Sequence, residues 1–414
     1  MTEYPHRNWL APCGLPDAWR AQTAWRVLDT GFDHASRFLA CWQAWQADPE
    51  RPRMLHYVAL ASDSFGADAL LERHAGDPQT AALARTLAQQ CHGLLPGFHR
   101  LSFDAGRVLL TLCIGDMMPM LRELQSRKLC TVDAPRTMDD AVITRVHAPR
   151  YVDFLRSAWD EWVALDPAHA TMDAIPSVWP VRTFRSDVVP DNFAARMGLF
   201  SYDTGTPLTA GTWSAARWGA CCAFSAAQTV AQGARCAFAL SRPPGHHAGR
   251  DFFGGYCFLN NAALAAEQLR SDGAHRVAVL DIDYHHGNGT QAIFYDRADV
   301  LFASIHGDPL TEYPFFLGHA DERGVGAGLG FNLNLPLPRG TAFLAWRAAL
   351  SQALARIREF SADALVVSLG LDTFDGDPVS GFKLHSPDFL QVGADLARAG
   401  LPTVFVFEGR SEER

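Results

Sequence analysis

Asp281-Ile282-Asp283-Tyr284-His285 sets two carboxylates and an imidazole at alternate positions. While such a run stays extended, alternate side chains project from one face. Crowded there, they need a cation or a large compromise in proton affinity. Asp377, from the run Asp372-Thr373-Phe374-Asp375-Gly376-Asp377, completes a set of three with Asp283 and His285. Three protein ligands that leave a position for water form the pattern of a catalytic rather than a structural Zn2+ site. Fe2+ or Co2+ would suit the same oxygen-rich set. The plainer reading has Asp-x-Asp capping a following helix and His285 packed at a strand end. His246-His247 follow Arg242-Pro243-Pro244-Gly245, where prolines stiffen the approach and glycine permits a sharp bend. Tandem imidazoles can serve as an acid–base pair beside a metal and its water, because imidazole titrates near neutral pH. Asp281 and Asn288 are the available partners to fix their tautomers. Against this stands the reading of two surface histidines in a loop.

These residues fall where strands should end. Segments 236–240, 276–282, 300–305, 331–335, 364–369 and 403–407 read as short apolar strands. Segments 209–232, 261–270, 291–295, 341–360 and 387–399 read as the helices between them. Such alternation predicts crossover units and a parallel sheet, an α/β fold over residues 130–410. Ligands of such sheets bind at the carboxyl ends of the strands. Pro-Gly-His-His, the Asp-x-Asp-x-His run, Ser304-Ile305-His306 and the 372–377 run would then share one sheet edge.

Composition bounds the rest. The chain has 414 residues, 48% apolar and 20% charged, with a net charge of −9. Those values suit ordered globular structure, and the length allows two or three domains. No run of about 18 uncharged apolar residues occurs, and the first residues lack a signal-peptide layout. Nine scattered cysteines without a Cys-x-x-Cys pair suit reduced thiols, hence a soluble cytoplasmic protein. A pI near 5.9 argues against a globally basic nucleic-acid binder. It accords weakly with a cationic small molecule as partner.

Taken together, Arg242–Ala248, Gly254–Asn261, Asp281–Thr290 and Asp375–Pro378 resemble the zinc-dependent deacetylase superfamily. That superfamily comprises the histone deacetylases and acetylpolyamine amidohydrolases on an arginase-like α/β fold. The resemblance covers about residues 120–409, and Arg145–Leu155 and Ser201–Trp213 are most similar to the bacterial acetylpolyamine branch. It implies Asp283, His285 and Asp377 as zinc ligands, and His246 and His247 as general base and acid oriented by Asp281 and Asn288. It also implies Gly255, Tyr256 and Phe316 as walls of the substrate tunnel. A K+ would be held by Asp281, Asp283, His285, Ser304 and Ile305. The implied reaction is hydrolysis of an acetylated amine, with a homo-oligomer compatible.

Two departures qualify that expectation. The superfamily continues Glu-Gly-Gly-Tyr after its last strand, and the tyrosine donates to the developing oxyanion. Here the chain reads Glu408-Gly409-Arg410-Ser411. Loss of one such donor costs ~10²–10³ in rate. Impaired turnover, or an inactive metal-binding pseudoenzyme, is therefore the alternative. The usual final helix and first strand are also missing, so 121–414 is expected to be a deacetylase domain truncated at both ends. Residues 1–120 are expected to form a partial, degenerate Rossmann-like segment. Gly14–Trp19, Arg26–Trp42 and Leu112–Asp116 resemble the methyltransferase half of the bifunctional tRNA wobble-uridine modification enzyme. Asp33 and Ala35 stand where that family has glycines, and Ala61 where it has an acid. An S-adenosylmethionine-dependent tRNA methyltransferase is thus the third reading.

Overall fold

The computed structural model describes residues 10, 14–20, 22–29, 32, 35–61, 67–76, 78–91, 97–114, 131–181, 185 and 187–409. The chain divides into compact units between Asp133 and Ala134. The boundary expected at 120/121 lies outside the described residues. None of the described helices is long and apolar enough to cross a membrane.

In the first unit, β1 (Ala24–Asp29), α1 (Ser36–Ala47), β2 (Met54–Ala61), α2 (Ala67–His74), α3 (Pro78–Ala88), β3 (Gly97–Phe103) and β4 (Val108–Ile114) follow one another. The sheet runs β1-β2-β4-β3, with β3 alone antiparallel. Leu55, Tyr57 and Ala59 alternate onto one face and meet Phe38, Trp42 and Trp45, spaced three and four apart on α1. Over 26–42, β1 leads on to α1, and residues 30, 31, 33 and 34 between them lie outside the described residues. Asp29 ends β1 buried, accepting from Arg37 Nη1 (2.8 Å) and Tyr57 Oη (2.9 Å). Ala61 does end β2, while Asp33 lies outside the described residues.

The second unit is a parallel α/β layer structure. Its elements are α4 (Pro149–Leu165), α5 (Thr212–Ala231), β5 (Cys236–Ala239), α6 (Asn261–Ser271), β6 (Val277–Asp281), α7 (Asn288–Phe294), β7 (Val300–Gly307), β8 (Asn332–Leu337), α8 (Phe343–Phe360), β9 (Ala364–Leu369), α9 (Ser386–Arg398) and β10 (Thr403–Phe407). All six strands are parallel, in the order β5-β10-β9-β6-β7-β8. The pleat sends Val277, Val279, Val366 and Val404 toward α5 and α6, and Leu280, Leu365 and Val367 toward α8 and α9. A strand covered on both faces must be apolar throughout, as β6 and β7 are up to their carboxyl ends.

The topology matters more than the layers. From β6 the chain builds outward to β7 and β8, then returns to β9 beside β6 and builds the other way to β10. The crevice between β6 and β9 is therefore the switch point at which such sheets bind ligands. Asp281 stands level with Ser368 of β9 and Ser304 of β7. His306 and Gly307 also lie within β7, which runs two residues beyond the expected 300–305.

Candidate active site

Four strand ends supply the side chains. Beyond β6 the run does not stay extended: Asp283 N donates to Asp281 Oδ1 (3.1 Å) and His285 N to Asp283 Oδ1 (2.8 Å). Each carboxylate thus folds the chain around itself. Asp281 turns aside to His246, and Asp283 and His285 come together. Neither aspartate caps α7, whose N-cap is Gly287 with no side-chain bond.

The third member of the cluster is Asp372, not Asp377. Ligand atoms of Asp283, His285 and Asp372 all lie within 4.8 Å of one another. His285 Nδ1 is 3.0 Å from Asp372 Oδ2 and 3.3 Å from Asp283 Oδ1. Asp377 is half-buried further along the loop, where its Oδ1 accepts from Val379 N at 3.0 Å. The reason is reach: Asp372 comes three residues after β9 ends at Leu369, still at the switch point. Gly370 passes so close that a Cβ there would sit 2.1 Å from Asp283 Oδ2.

The histidine pair follows β5, fully enclosed. His246 Nδ1 is 2.9 Å from Asp281 Oδ2, and His247 Nδ1 is 2.7 Å from Asn288 Oδ1. Both acceptors assign the ring proton to Nδ1 and leave each Nε2 free. The rings lie 4.0 Å apart, and His246 Nε2 is 3.8 Å from Asp283 Oδ1. The two environments diverge. Burial opposes the imidazolium at His246, but the charges of Asp281, Asp283 and Glu408 overcome it and push the pKa well above the ordinary value. At His247, burial and then the charges of His246 and His285 push it well below. Burial, followed by the charge of Asp283, raises Asp372 to about 8. Burial opposes a charged His285, yet hydrogen bonds to Asp283 and Asp372 lift it to about 10. Two buried carboxylates and an imidazole at such range fit a divalent cation, which would neutralise them together.

Gly255 sits at φ +54°, and a Cβ there would lie 2.2 Å from His247 Cδ2, so only glycine lets the chain pass the ring. Tyr256 follows at φ +65° and is 42% exposed. Phe316 is 88% exposed. Tyr313 faces the histidines, with its ring 5.1 Å from His247 and perpendicular to it. Its hydroxyl lies 2.6 Å from both Tyr202 Oη and Asp203 Oδ2. Asp203 Oδ2 also accepts from Gly255 N at 2.7 Å, while its buried Oδ1 has no hydrogen-bond partner among the described residues. Tyr313 escaped the sequence reading because its loop, 308–318, carries several aromatic and apolar residues without periodicity. Asp372 could have been preferred to Asp377 by counting from the strand end. The oxyanion position at 410–411 lies outside the described residues.

Comparison with known proteins identifies the family. Residues 113–409 match the histone deacetylase domain. The chain is 52% identical over 290 residues to acetylpolyamine amidohydrolase 2 of Pseudomonas aeruginosa, covering 70% of this chain and 83% of that protein. A crystal structure of acetylpolyamine aminohydrolase from Burkholderia pseudomallei superposes with a TM-score of 0.66 at 38% identity, covering 77% of this chain and 91% of that one. The amino-terminal part is 52% identical over 125 residues to a tRNA 5-methylaminomethyl-2-thiouridine biosynthesis bifunctional protein of Albidiferax ferrireducens, spanning 20% of that protein's length. The chain therefore belongs to the histone deacetylase family, and it is a hydrolase acting on amides.

Proposed function

We propose that this chain is a zinc-dependent deacetylase that removes acetyl groups from acetylpolyamines or related small cationic acetylated amines. The carrying observation is the juxtaposition of Asp283, His285 and Asp372 with the His246–His247 pair at one switch point. Asp283, His285 and Asp372 would hold the ion; Fe2+ or Co2+ would suit the same donors. When bound, the ion supplies Lewis-acid polarisation of the amide carbonyl and of the attacking water. His247, kept neutral by burial and by the charges of His246 and His285, is suited to accept the proton at Nε2. His246, kept charged by Asp281, is suited to return one to the leaving amine. These surroundings favour exchanging the base and acid roles that the resemblance implied. A K+ is proposed beneath, on Asp281, Asp283, His285, Ser304 and Ile305.

For the cationic end of the substrate, Asp203 is the better placed carboxylate, since Glu312 is buried against Arg339 (3.1 Å). Zinc content together with hydrolysis of acetylputrescine and an acetyl-lysine peptide tests the reading. Preference for the polyamine at about one zinc per chain is expected. Full zinc without hydrolysis would favour the second reading, the pseudoenzyme, which the Arg410-Ser411 sequence motivates. The methyltransferase reading has against it Ala61 at the end of β2, where that family has an acid. Absence of binding heat with millimolar S-adenosylmethionine would remove it.

A further inference from the structure

The loop that carries the histidines takes its first backbone anchors from a distant side chain. Pro243 and Pro244 have no N–H to donate, so Gly245 N and His246 N are its first donors after Arg242. Both donate to one oxygen, Oε2 of Glu408, at 2.6 and 3.0 Å. Glu408 is buried, and its other carboxylate oxygen has no hydrogen-bond partner among the described residues. Its own position is set by the sheet: Glu408 N donates to Leu369 O at 3.1 Å, just beyond β10. The next residue, Gly409, donates its N–H to Asp283 Oδ2 at 3.0 Å. Two adjacent residues thus grip the histidine loop and the metal-site carboxylate. His246 Nε2 and Asp283 Oδ1 stand 3.8 Å apart between these two contacts.

We propose that Glu408 is a positioning residue for amide hydrolysis, its carboxylate holding the Gly245–His246 backbone so that the His246 ring stands at its working distance from Asp283. Two bonds from adjacent buried N–H groups to one oxygen make this a stiff tether. The inference rests on the deacetylase reading for its kinetic consequence, but its geometric content is independent of it.

The test uses the zinc-loaded full chain. Glu408→Ala should lower kcat by about 10–100-fold, the cost of a displacement of about 1 Å, with KM changed less than about twofold. Metal content should remain at the wild-type level. Glu408→Gln keeps a carbonyl oxygen for both donors and should restore kcat to within about threefold of wild type. In proton NMR, the downfield ring N–H of His246 bonded to Asp281, assigned through Asp281→Asn, should persist in Glu408→Gln and shift or vanish in Glu408→Ala. An unmoved signal in Glu408→Ala, or a Gln variant as impaired as the Ala variant, overturns the proposal. If Glu408→Ala does not fold, a tenfold loss in folded Glu408→Gln does the same. A wild-type chain without hydrolysis, but with the expected NMR response, sinks the deacetylase reading and leaves the positioning role standing.

Discussion

Replacing Asp372 and Asp377 separately, each by Asn, tests the metal site where sequence and structure disagree. Structural Zn2+ sites with four protein ligands bind with ~10–16 kcal/mol, so one ligand carries about 3 kcal/mol. Asp372→Asn should therefore weaken zinc affinity by about 10²-fold. Asp377→Asn, whose Oδ1 accepts one backbone bond from Val379, should cost about 1 kcal/mol of stability and leave affinity within about threefold. Metal-free protein supplies a second readout with the opposite sign. Asp372 is raised to about 8 by burial and by Asp283, so its folded pKa exceeds the unfolded value. Such a group favours folding when protonated, and stability falls as pH rises from the usual carboxylate range to about 8. Asp372→Asn should abolish that fall, leaving the apo variant as stable as wild type or more so at pH 8. Chelator-competition titrations and apo melting curves between pH 4 and pH 9 measure both. Loss of zinc from Asp377→Asn, with Asp372→Asn unaffected, would refute the assignment.

Other expectations follow from the same geometry. Activity should need neutral His247 and charged His246, giving a plateau with an acid limb set by the former and an alkaline limb by the latter. Asn288→Asp, placing a carboxylate 2.7 Å from His247 Nδ1, should move the acid limb up by ~1 pH unit or more, and Asp281→Asn should move the alkaline limb down. Limbs that stay fixed or move oppositely in kcat/KM profiles would exclude this division of roles. Gly255→Ala should lower kcat by about 10²-fold, because its Cβ would lie 2.2 Å from the His247 ring, and melting should show a loss of ~1–2 kcal/mol from the left-handed backbone. Ser361→Gly, at an exposed helix end with φ +57°, should raise stability by ~0.5–1 kcal/mol without touching turnover.

The strands and helices of the second unit were readable because each is several residues of one strong pattern. Ala364–Leu369 and Thr403–Phe407 matched residue for residue. Boundaries failed where polarity and geometry part company, as at His306, polar yet inside β7. The histidine partners were also legible. A tandem pair needs two nearby acceptors, and Asp281 and Asn288 flank the richest polar run in the chain. Asp377 was chosen wrongly because a loop's composition does not say which of its three acids lies over the switch point. Tyr313 and Glu408 were invisible as site residues for a related reason. Their roles depend on contacts to residues 66 and about 163 positions away.

By itself, the sequence determined that carboxylates and imidazoles would gather at one edge of a parallel α/β sheet, since apolar runs and polar strand ends are local patterns with fixed periods. It equally determined the family, through four motifs read in order. The strand order belongs to tertiary structure alone, because no local pattern says that β9 returns beside β6. From that return come Asp372 as the third partner of Asp283, the opposed surroundings of His246 and His247, and the tether from Glu408. Each depends on groups far apart in the chain meeting in a buried space, where electrostatics is strong and proton affinity is set by neighbours.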